Sequence, residues 1–326
     1  MSVRYERLEG ALAERLDSLF GVPGCLIEVN PGKVLLPPKY MELGQRIKDL
    51  EVRPDDVWVI SYPRTGSTWV QEMVWCIGND LDFETAKQYG QFRNPLLELT
   101  ALMGNDKGSW KDSLGNSVDL AESMKSPRFI KTHLPVTLLP KQIFTVRPKI
   151  IYVSRNPKDM CVSYYHYCRL LHDFHGSFED FAEIFLQGKA PVGPYWSHVL
   201  GFWDLHHDEN VLFLKYEEVR KDHRGCILKV AKFLGKDISE DDVSKLLDHL
   251  SFQKMKENRA LNLEDFLQAR NGPGFIQKSD QGDQTFIRKG KVGDWKNYMS
   301  PELADKFDNW TRDNLKGTGL SFNTEE

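Results

Sequence analysis

The chain has 326 residues, 40% of them hydrophobic, and its 43 basic residues nearly balance 47 acidic ones for a net charge of −4. This content can bury a substantial core, and no linker, repeat or low-complexity segment divides the chain, so we predict one domain over residues 1–326. The balanced charge provides no global field for nucleic acid or an anionic membrane. Any anion site must therefore be local.

The beginning of the chain and the cysteines indicate where the protein works. The first residues, MSVRYERLEGALAERL, are charged and amphipathic and lack the apolar core of a signal peptide. No apolar stretch approaches the length of a transmembrane helix. The five cysteines are scattered, without a C-x-x-C pair that would suggest zinc or a disulfide framework. We therefore predict a reduced, cytoplasmic protein that binds neither membrane nor nucleic acid.

The sequence VWVISYPRTGSTW, residues 57–69, predicts a strand, a tight loop and the start of a helix. At such a junction backbone N–H groups and the helix dipole converge on an anion. The hydroxyls of Ser67 and Thr68 and the charge of Arg64 would add donors. The loop lacks the G-x-x-x-x-G-K-[ST] pattern of NTPases, and Trp69 offers a stacking surface for a base. An ordinary strand-to-helix turn with a buried Trp is the alternative.

Farther along, apolar strands alternate with helices. We predict strands at residues 128–132, 149–154 and 211–216, and helices at 178–186 and 195–206. A further helix follows the last of these strands and runs to Leu234. Asn156 and Pro157 suit the N-cap and first position of a further helix, to residue 167. Apolar strands without alternation, separated by helices, indicate a parallel sheet covered on both faces. The predicted fold class is α/β, with a P-loop-like anion loop after the first core strand.

Polar residues follow three of the predicted strands. They lie in the loop that contains Arg64, in KTHLP at residues 131–135, and in SRNPKD at residues 154–159 with Ser163 in the next helix. The carboxyl ends of parallel strands meet at one edge, where ligands bind in such sheets. Taken singly, a histidine is more often a hydrogen-bonded core or surface residue, and RNPKD can be a helix cap. Their coincidence favours one shared crevice.

Four separated motifs make the chain resemble the cytosolic sulfotransferases. They are YPRTGSTW at 62–69, KTHLP at 131–135, YVSRNPKDMCVSYYHY at 152–167 and FIRKGKVGDWK at 286–296, with smaller similarities at 216–218 and 251–255. The resemblance spans about residues 40–307. It implies transfer of a sulfuryl group from 3′-phosphoadenosine 5′-phosphosulfate (PAPS) to a hydroxyl or amine of a small, largely apolar acceptor. The by-product would be PAP, and no metal would be required.

The resemblance also implies which residues hold the donor. For the 5′-phosphosulfate they are Arg64, Thr65, Gly66, Ser67 and Thr68. For the 3′-phosphate they are Arg155, Ser163, Arg288, Lys289 and Gly290. For the adenine they are Trp69, Phe252 and Tyr216, and the matching motifs add Ser251, Met255 and Phe286 to the expected donor site. Because the last motif would serve the same ligand as the first loop, this favours one domain.

Three residues would carry the chemistry. Sulfuryl transfer resembles phosphoryl transfer, with the attacking and leaving oxygens in line. His133 matches the family's general base, and Lys131, two residues earlier on the strand, is assigned to the transferring sulfuryl oxygens. Arg64 would stabilise charge on the bridging oxygen. The family more often has Lys at the position of Arg64, and an arginine scarcely donates a proton.

Two further departures concern the adenine and the subunit interface. Leu250 stands where many relatives have a hydroxyl residue beside the adenine. The family's dimer motif aligns with KNYMSPELAD at residues 296–305, where Ser-Pro replaces Thr-Val. We therefore expect that this particular homodimer does not form, while other dimers stay possible.

The acceptor and three alternative functions stay open at this point. Candidates for the acceptor pocket are Phe83 and residues 89–102, 167–174 and 261–275, whose aromatic and leucine content suits phenols, sterols or fatty alcohols. A Mg²⁺-dependent phosphotransferase would need an acidic residue at a strand end, and none is evident. A binding module for PAPS would not require Lys131 and His133. A dehydratase, in which transient sulfonation of an allylic alcohol ends in elimination, differs only in its product.

Overall fold

A computed structural model describes residues 2–103, 115–271 and 285–322 of the chain. Its β-strands are β1 Arg4–Arg7, β2 Ile27–Asn30, β3 Val34–Leu36, β4 Val57–Ser61, β5 Phe129–Thr132, β6 Lys149–Ser154 and β7 Val211–Lys215. The last four form a parallel sheet in the order β5-β4-β6-β7, in which Val57 pairs with both Phe129 and Lys149. The predicted central parallel sheet is confirmed.

Helices surround this sheet. In chain order they are α1 Gly10–Phe20, α2 Tyr40–Asp49, α3 Ser67–Gly78, α4 Gly90–Arg93, α5 Leu99–Leu102, α6 Ser117–Ser123, α7 Ile143–Val146, α8 Pro157–Leu171, α9 Phe178–Leu186, α10 Tyr195–Trp203, α11 Tyr216–Lys221, α12 His223–Leu234, α13 Glu240–His249, α14 Phe252–Glu257, α15 Glu264–Asn271 and α16 Pro301–Leu315. Short 3₁₀ turns are present at Thr85–Lys87, Val136–Leu138 and Asp294–Asn297.

The sheet is buried on both faces, as its apolar strands predict. Along β4 the side chains alternate between two hydrophobic clusters. Trp58 and Ile60 belong to the larger cluster, and Val57 and Val59 to the smaller one. Because all four are almost fully buried, this strand anchors the loop that follows it.

A second, antiparallel sheet of β1, β2 and β3 was not predicted from the sequence. Its strands are only three or four residues long, too short to establish an alternating pattern. The sheet joins the larger core through β3, whose Leu35 exchanges main-chain hydrogen bonds with Val192 and Gly193. Its position therefore depends on partners that lie far away in the sequence.

Several predicted ends shift for local reasons. The helix after Asn156 continues to Leu171, and the helix from Tyr195 ends at Trp203 instead of residue 206. The single helix predicted between the last strand and Leu234 is two helices, because the Asp222 carboxylate accepts a hydrogen bond from the Gly225 N–H at 2.7 Å and caps α12. Near the end of the described chain, Ser300 and Pro301 are the N-cap and first residue of α16.

The topology places a crevice at the carboxyl ends of β4 and β6. From β4 the chain runs first to β5 on one side and then to β6 on the other, so the strand order reverses between β4 and β6. Such a reversal is where ligands bind in open parallel sheets. None of the helices in the described part of the chain combines the length and apolarity needed to span a bilayer. The single domain over 1–326, the cytoplasmic location and the missing family dimer stay predictions.

Candidate active site

The loop between β4 and α3 is tightly turned. Arg64 and Gly66 both have left-handed backbone conformations, with φ of 69° and 92°. The backbone of Arg64 is strained, because a residue with a side chain rarely adopts this conformation. The Thr65 hydroxyl donates to the Tyr62 carbonyl at 3.0 Å and braces the turn. A Cβ on Gly66 would lie 2.4 Å from Cδ2 of Tyr216, so only glycine fits. The loop leads directly into α3, as an anion-binding turn requires.

His133 lies just beyond β5 with its ring in a defined tautomer. Its Nδ1 is 2.8 Å from the Ser61 carbonyl oxygen, which can only accept, so Nδ1 carries the hydrogen. The other ring nitrogen, Nε2, is then an unprotonated acceptor. Burial and the charge of Lys131 hold the pKa of His133 well below its usual range. The imidazole is therefore neutral near pH 7 and able to take a proton.

The main chain of His133 is held by a second histidine that the sequence analysis missed. His198 donates from Nε2 to the His133 carbonyl at 2.9 Å, and its Nδ1 accepts from the Tyr152 hydroxyl at 2.9 Å. His198 is 1% exposed. The available signal was an ionisable side chain within the largely apolar helix sequence YWSHVLGFW.

Two cations, the buried Lys131 and the half-buried Arg64, lie at the carboxyl ends of β4 and β5. Burial, reinforced by the charge of Arg64, lowers the pKa of Lys131 to about 8. Arg64 donates to the Phe286 carbonyl at 2.7 Å and to the Ser163 hydroxyl at 3.2 Å. Its guanidinium also lies over the rings of Tyr167 and Phe286. Arg64 thus joins the first loop to α8 and to the segment that begins at Phe286.

A second cationic group gathers around Arg155. This side chain donates to the carbonyls of Arg64 at 3.2 Å and Lys291 at 3.0 Å, and it lies 4.4 Å from the centre of the Tyr216 ring. Its Nε is buried and has no hydrogen-bond partner among the described residues. A buried donor of this kind suits an anionic ligand, because an unmade bond is costly.

Arg288 and Lys289 reach the same place from a distant part of the sequence. Both pair with the carboxylate of Asp294, at 2.6 and 3.2 Å. The segment that contains them, residues 286–296, is attached to α8. Asp159 accepts hydrogen bonds from the main chain of Gly293 at 2.6 Å and Trp295 at 3.0 Å. Both aspartates lie inside the motifs quoted above, but their bracing role shows only in the folded chain.

Aromatic side chains form the walls beside these cations. The Trp69 indole donates to the Leu250 carbonyl at 2.8 Å and packs edge-on against Tyr216. Phe252 lies so close to Gly290 that a Cβ on that glycine would be 2.7 Å from its ring. Flat aromatic surfaces of this kind can pack against a planar ring.

One cavity gathers the predicted site residues except Thr65 and Ser251. Its predicted members are Arg64, Gly66, Ser67, Thr68, Trp69, Lys131, His133, Arg155, Ser163, Tyr216, Phe252, Met255, Phe286, Arg288, Lys289 and Gly290. Thr65 braces the loop from behind, and Ser251 caps α14 by accepting from the Lys254 N–H at 3.4 Å. Both therefore act on the shape of the site.

The cavity continues past His133 into an apolar region. Its predicted acceptor-side members are mostly apolar: Tyr89, Gly90, Leu96, Leu99, Tyr167, Leu171, Leu261, Leu263 and Phe266, with the polar Gln91 and Asn94 among them. Among the described lining residues there is no aspartate or glutamate. Phe83 is not part of the lining and instead packs against His249. Residues 272–275 of the predicted acceptor segment lie outside the described residues.

A separate polar group, Glu72, Cys76 and His249, has its potential ligand atoms within 4.8 Å of one another. The Glu72 carboxylate is already engaged, at 2.5 Å by Arg93 and at 2.8 Å by Nε2 of His249. His249 directly precedes Leu250, whose carbonyl holds Trp69. This network therefore supports one wall of the cavity. The expectation of a metal-free active site stays a prediction.

Together, the parallel sheet and its crevice define an α/β enzyme that can bind an anionic nucleotide next to a neutral histidine. The model of the Sulfotransferase domain family matches residues 54–319, and the chain belongs to this family. It is 43% identical over 294 residues to the luciferin sulfotransferase of Photinus pyralis, covering 88% of this chain and 78% of the relative. It is 36% identical over 299 residues to sulfotransferase 1E1 of Cavia porcellus, covering 90% and 94%.

Solved structures agree with this assignment. Retinol dehydratase in a complex with retinol and PAP superimposes with a TM-score of 0.89 at 33% identity, over 99% of each chain. Its complex with androsterone and PAP gives a TM-score of 0.88 at 32% identity over 98% of each chain. The protein is a PAPS-dependent sulfotransferase, as the four motifs predict.

Proposed function

We propose that the enzyme transfers the sulfuryl group of PAPS to a hydroxyl of a small, uncharged, largely apolar acceptor, with His133 as general base. The observation that carries this proposal is the 2.8 Å contact between Nδ1 of His133 and the Ser61 carbonyl. It leaves the basic Nε2 of a cavity-lining, neutral imidazole for the acceptor proton.

The residues present fit an anionic adenine nucleotide. Arg155 offers a buried donor without a described partner, and Arg288 and Lys289 stand in the same cavity. Gly66 and Gly290 let main chain approach the aromatic walls closely. We assign the loop at 64–68 to the 5′-phosphosulfate and the Arg155 group, with Ser163, to the 3′-phosphate. When bound, PAPS supplies the sulfuryl group.

The roles of the chain's own groups follow from their charges. His133 removes the hydroxyl proton through Nε2 and holds it as an imidazolium. Lys131 is still largely protonated at pH 7 despite its lowered pKa, and it balances the negative charge of the transferring sulfuryl oxygens. Arg64 stays protonated, because burial lowers its pKa only to about 10, and it acts as an electrostatic stabiliser instead of a proton donor.

The acceptor class follows from the apolar end of the cavity. A lining without a carboxylate, within the described residues, offers no anionic partner for an ammonium group. Phenols, sterols and apolar alcohols therefore fit better than catecholamines. The names of two solved relatives point the same way, since they mention retinol and androsterone. The likeness to retinol dehydratase favours one second candidate, elimination after sulfonation of an allylic alcohol.

A direct assay tests this proposal. Purified enzyme is given PAPS with labelled sulfur, an excess of EDTA, and a panel containing a phenol, a sterol, an alkyl alcohol, retinol and a catecholamine. We expect labelled sulfate esters from the uncharged acceptors and a dehydrated, unlabelled product if retinol undergoes elimination. His133→Ala should reduce turnover by about 100- to 10,000-fold while PAP affinity stays within about threefold.

The exposed His207 provides the matched control, and His207→Ala should behave as wild type. Full turnover by His133→Ala would remove that residue from the role of base. Loss of PAP binding in this variant would place His133 in the donor site instead. Preferred turnover of the catecholamine would contradict the assigned acceptor class.

A further inference from the structure

A buried carboxylate stands directly behind the proposed base. Glu98 is 0% exposed, and its two oxygens accept from the Thr132 hydroxyl at 2.7 Å and from the main-chain N–H of His133 at 2.6 Å. No motif quoted above contains this residue. Among the described residues it is the acid that touches the main chain of His133.

The sheet itself brings Glu98 to this place. The Lys131 N–H donates to the Pro95 carbonyl, and the Leu97 N–H donates to the Lys131 carbonyl, both at 2.9 Å. This parallel pairing lets residues 95–98 run beside β5 and end level with His133. The neighbours Leu96 and Leu99 line the cavity, so one segment supplies both an acceptor wall and the contact with the base.

His133 is consequently held at three points. Glu98 takes its N–H, His198 donates to its carbonyl at 2.9 Å, and the Ser61 carbonyl takes Nδ1–H at 2.8 Å. The first two fix the main chain and the third fixes the ring. With these set, the direction of Nε2 is determined before an acceptor arrives.

The cost of burying Glu98 indicates that its position matters. Desolvation raises the pKa of its carboxyl to about 7, although the hydrogen bonds from Thr132 and His133 favour the ionised form. A carboxylate kept in such surroundings loses solvation that a surface acid would retain. The compensation is two short hydrogen bonds, one of them to the base itself.

We propose that Glu98 is a positioning residue, which holds the main chain of His133 and thereby aims Nε2 at the acceptor hydroxyl. The inference rests on the proposed function, since it needs His133 as the base. It predicts that changes at Glu98 lower turnover. They should have little effect on donor affinity, because the proposed donor contacts belong to other parts of the chain. This role requires a side chain long enough to accept the hydrogen bond from the His133 N–H, more than it requires a negative charge.

Two conservative variants separate reach from charge. Glu98→Gln keeps an oxygen at the same distance without the charge, and Glu98→Asp keeps the charge but is one methylene shorter. With PAPS and the best acceptor of the panel, we expect Glu98→Asp and Glu98→Ala to lose about 100-fold in kcat, the cost of a small misplacement. We expect Glu98→Gln to recover at least about tenfold of this loss, with PAP Kd within about threefold for all variants.

Asp56→Asn is the matched control for removing a buried carboxylate. Asp56 is 0% exposed and pairs with Arg128 at 2.6 Å, at the opposite end of β4 and β5. We expect this variant to lower the thermal midpoint and leave kcat near wild type. All assays are run below the lowest midpoint, and should Glu98→Ala not fold, the Gln and Asp variants decide the matter.

The outcomes are distinct. Higher kcat for Glu98→Asp than for Glu98→Gln would overturn the positioning role in favour of charge. Turnover within about threefold of wild type in every Glu98 variant, or a loss shared equally by PAP affinity, would also overturn it. His133→Ala is measured alongside. If that variant is fully active, the proposed function has failed, whereas an inactive His133→Ala with active Glu98 variants refutes the Glu98 proposal alone.

Discussion

Lys131 and His133 show how one environment can produce both a cation and a neutral base. Both side chains are more than 90% buried, and burial penalises the charged form of each. The imidazole, with an ordinary pKa near neutrality, becomes fully neutral, whereas the pKa of the lysine falls only to about 8 and leaves most of its charge at pH 7. The charge of Lys131 lowers the pKa of His133 further and so widens this separation.

The rate should therefore depend on pH in a definite direction. Since activity needs protonated Lys131, kcat/KM for PAPS, which reports the free enzyme, should fall as the pH rises through about 8. His133 must be deprotonated, and its depressed pKa places the acid limb well below pH 6.5. An alkyl alcohol is the acceptor of choice because it does not titrate in this range.

Two comparisons check the assignment to Lys131. In Lys131→Arg the alkaline limb should disappear, because a guanidinium stays protonated throughout this range, even if the rate is lower. In wild-type enzyme saturated with PAPS, the limb in kcat should move to higher pH, because an anionic donor favours the charged lysine. An alkaline limb that persists unchanged in Lys131→Arg would exclude this lysine as its source.

At the scale of elements, the parts of the fold that could be predicted are those with a local cause. β6 and α9 were predicted with their observed bounds, because a continuous apolar run defines the strand and an amphipathic pattern defines the helix. The structure adds a local reason for the start of α9, a capping box formed by Ser177 and Asp180. The start of α8 follows in the same way from Asn156 and Pro157. In these cases neighbouring residues contain the whole explanation.

What escaped prediction depends on residues distant in the sequence. The sheet of β1, β2 and β3 consists of short strands that are stabilised by pairing and by the core. Glu98 and His198 are ordinary residues within apolar segments until the fold brings them to His133, from 35 and 65 positions away. Arg288 and Lys289 were predicted from their motif, but their pairing with the Asp294 carboxylate became apparent only in the structure.

The loop between β4 and α3 allows a sharp test at this scale. Gly66→Ala would force a left-handed residue and a Cβ 2.4 Å from Tyr216, whose ring lies under Arg155. We expect a loss of about 1 kcal/mol for the backbone conformation and about 1–3 kcal/mol more for overpacking. Because relief of the clash must move Tyr216, PAP affinity should fall as well. Denaturant unfolding and calorimetry measure the two effects.

Gly235→Ala supplies the control for the backbone term. Gly235 also has a left-handed conformation, with φ of 74°, at the end of α12, but nothing lies within 4 Å of its added Cβ. This variant should lose only the stability that the left-handed backbone conformation costs, about 1 kcal/mol, and should bind PAP normally. Equal destabilisation of the two variants, with PAP affinity kept in both, would show that the loop tolerates the added methyl group.

At the scale of the whole molecule, the site holds distant parts of the chain together. Arg64 contacts the carbonyl of Phe286 across 222 positions, Trp69 that of Leu250 across 181, and Arg155 that of Lys291 across 136. A ligand seated among these groups binds only when all the segments are in place. Donor binding and folding must consequently be linked.

PAP should therefore stabilise the folded enzyme. At 100 times its Kd, PAP should add about 2.7 kcal/mol to the free energy of unfolding. Arg288→Ala should weaken PAP binding by about 1–3 kcal/mol, the value of hydrogen bonds to a charged group, and at the same PAP concentration should lose about 1–2.4 kcal/mol of this gain. Lys289 and Asn297 remain as partners of Asp294 in the variant, so the turn should keep its shape.

Arg224→Ala, which removes an exposed arginine paired with Glu240, should keep the full gain. Thermal unfolding with and without PAP measures all three proteins, and an undiminished gain in Arg288→Ala would remove Arg288 from the 3′-phosphate site while leaving the linkage itself intact.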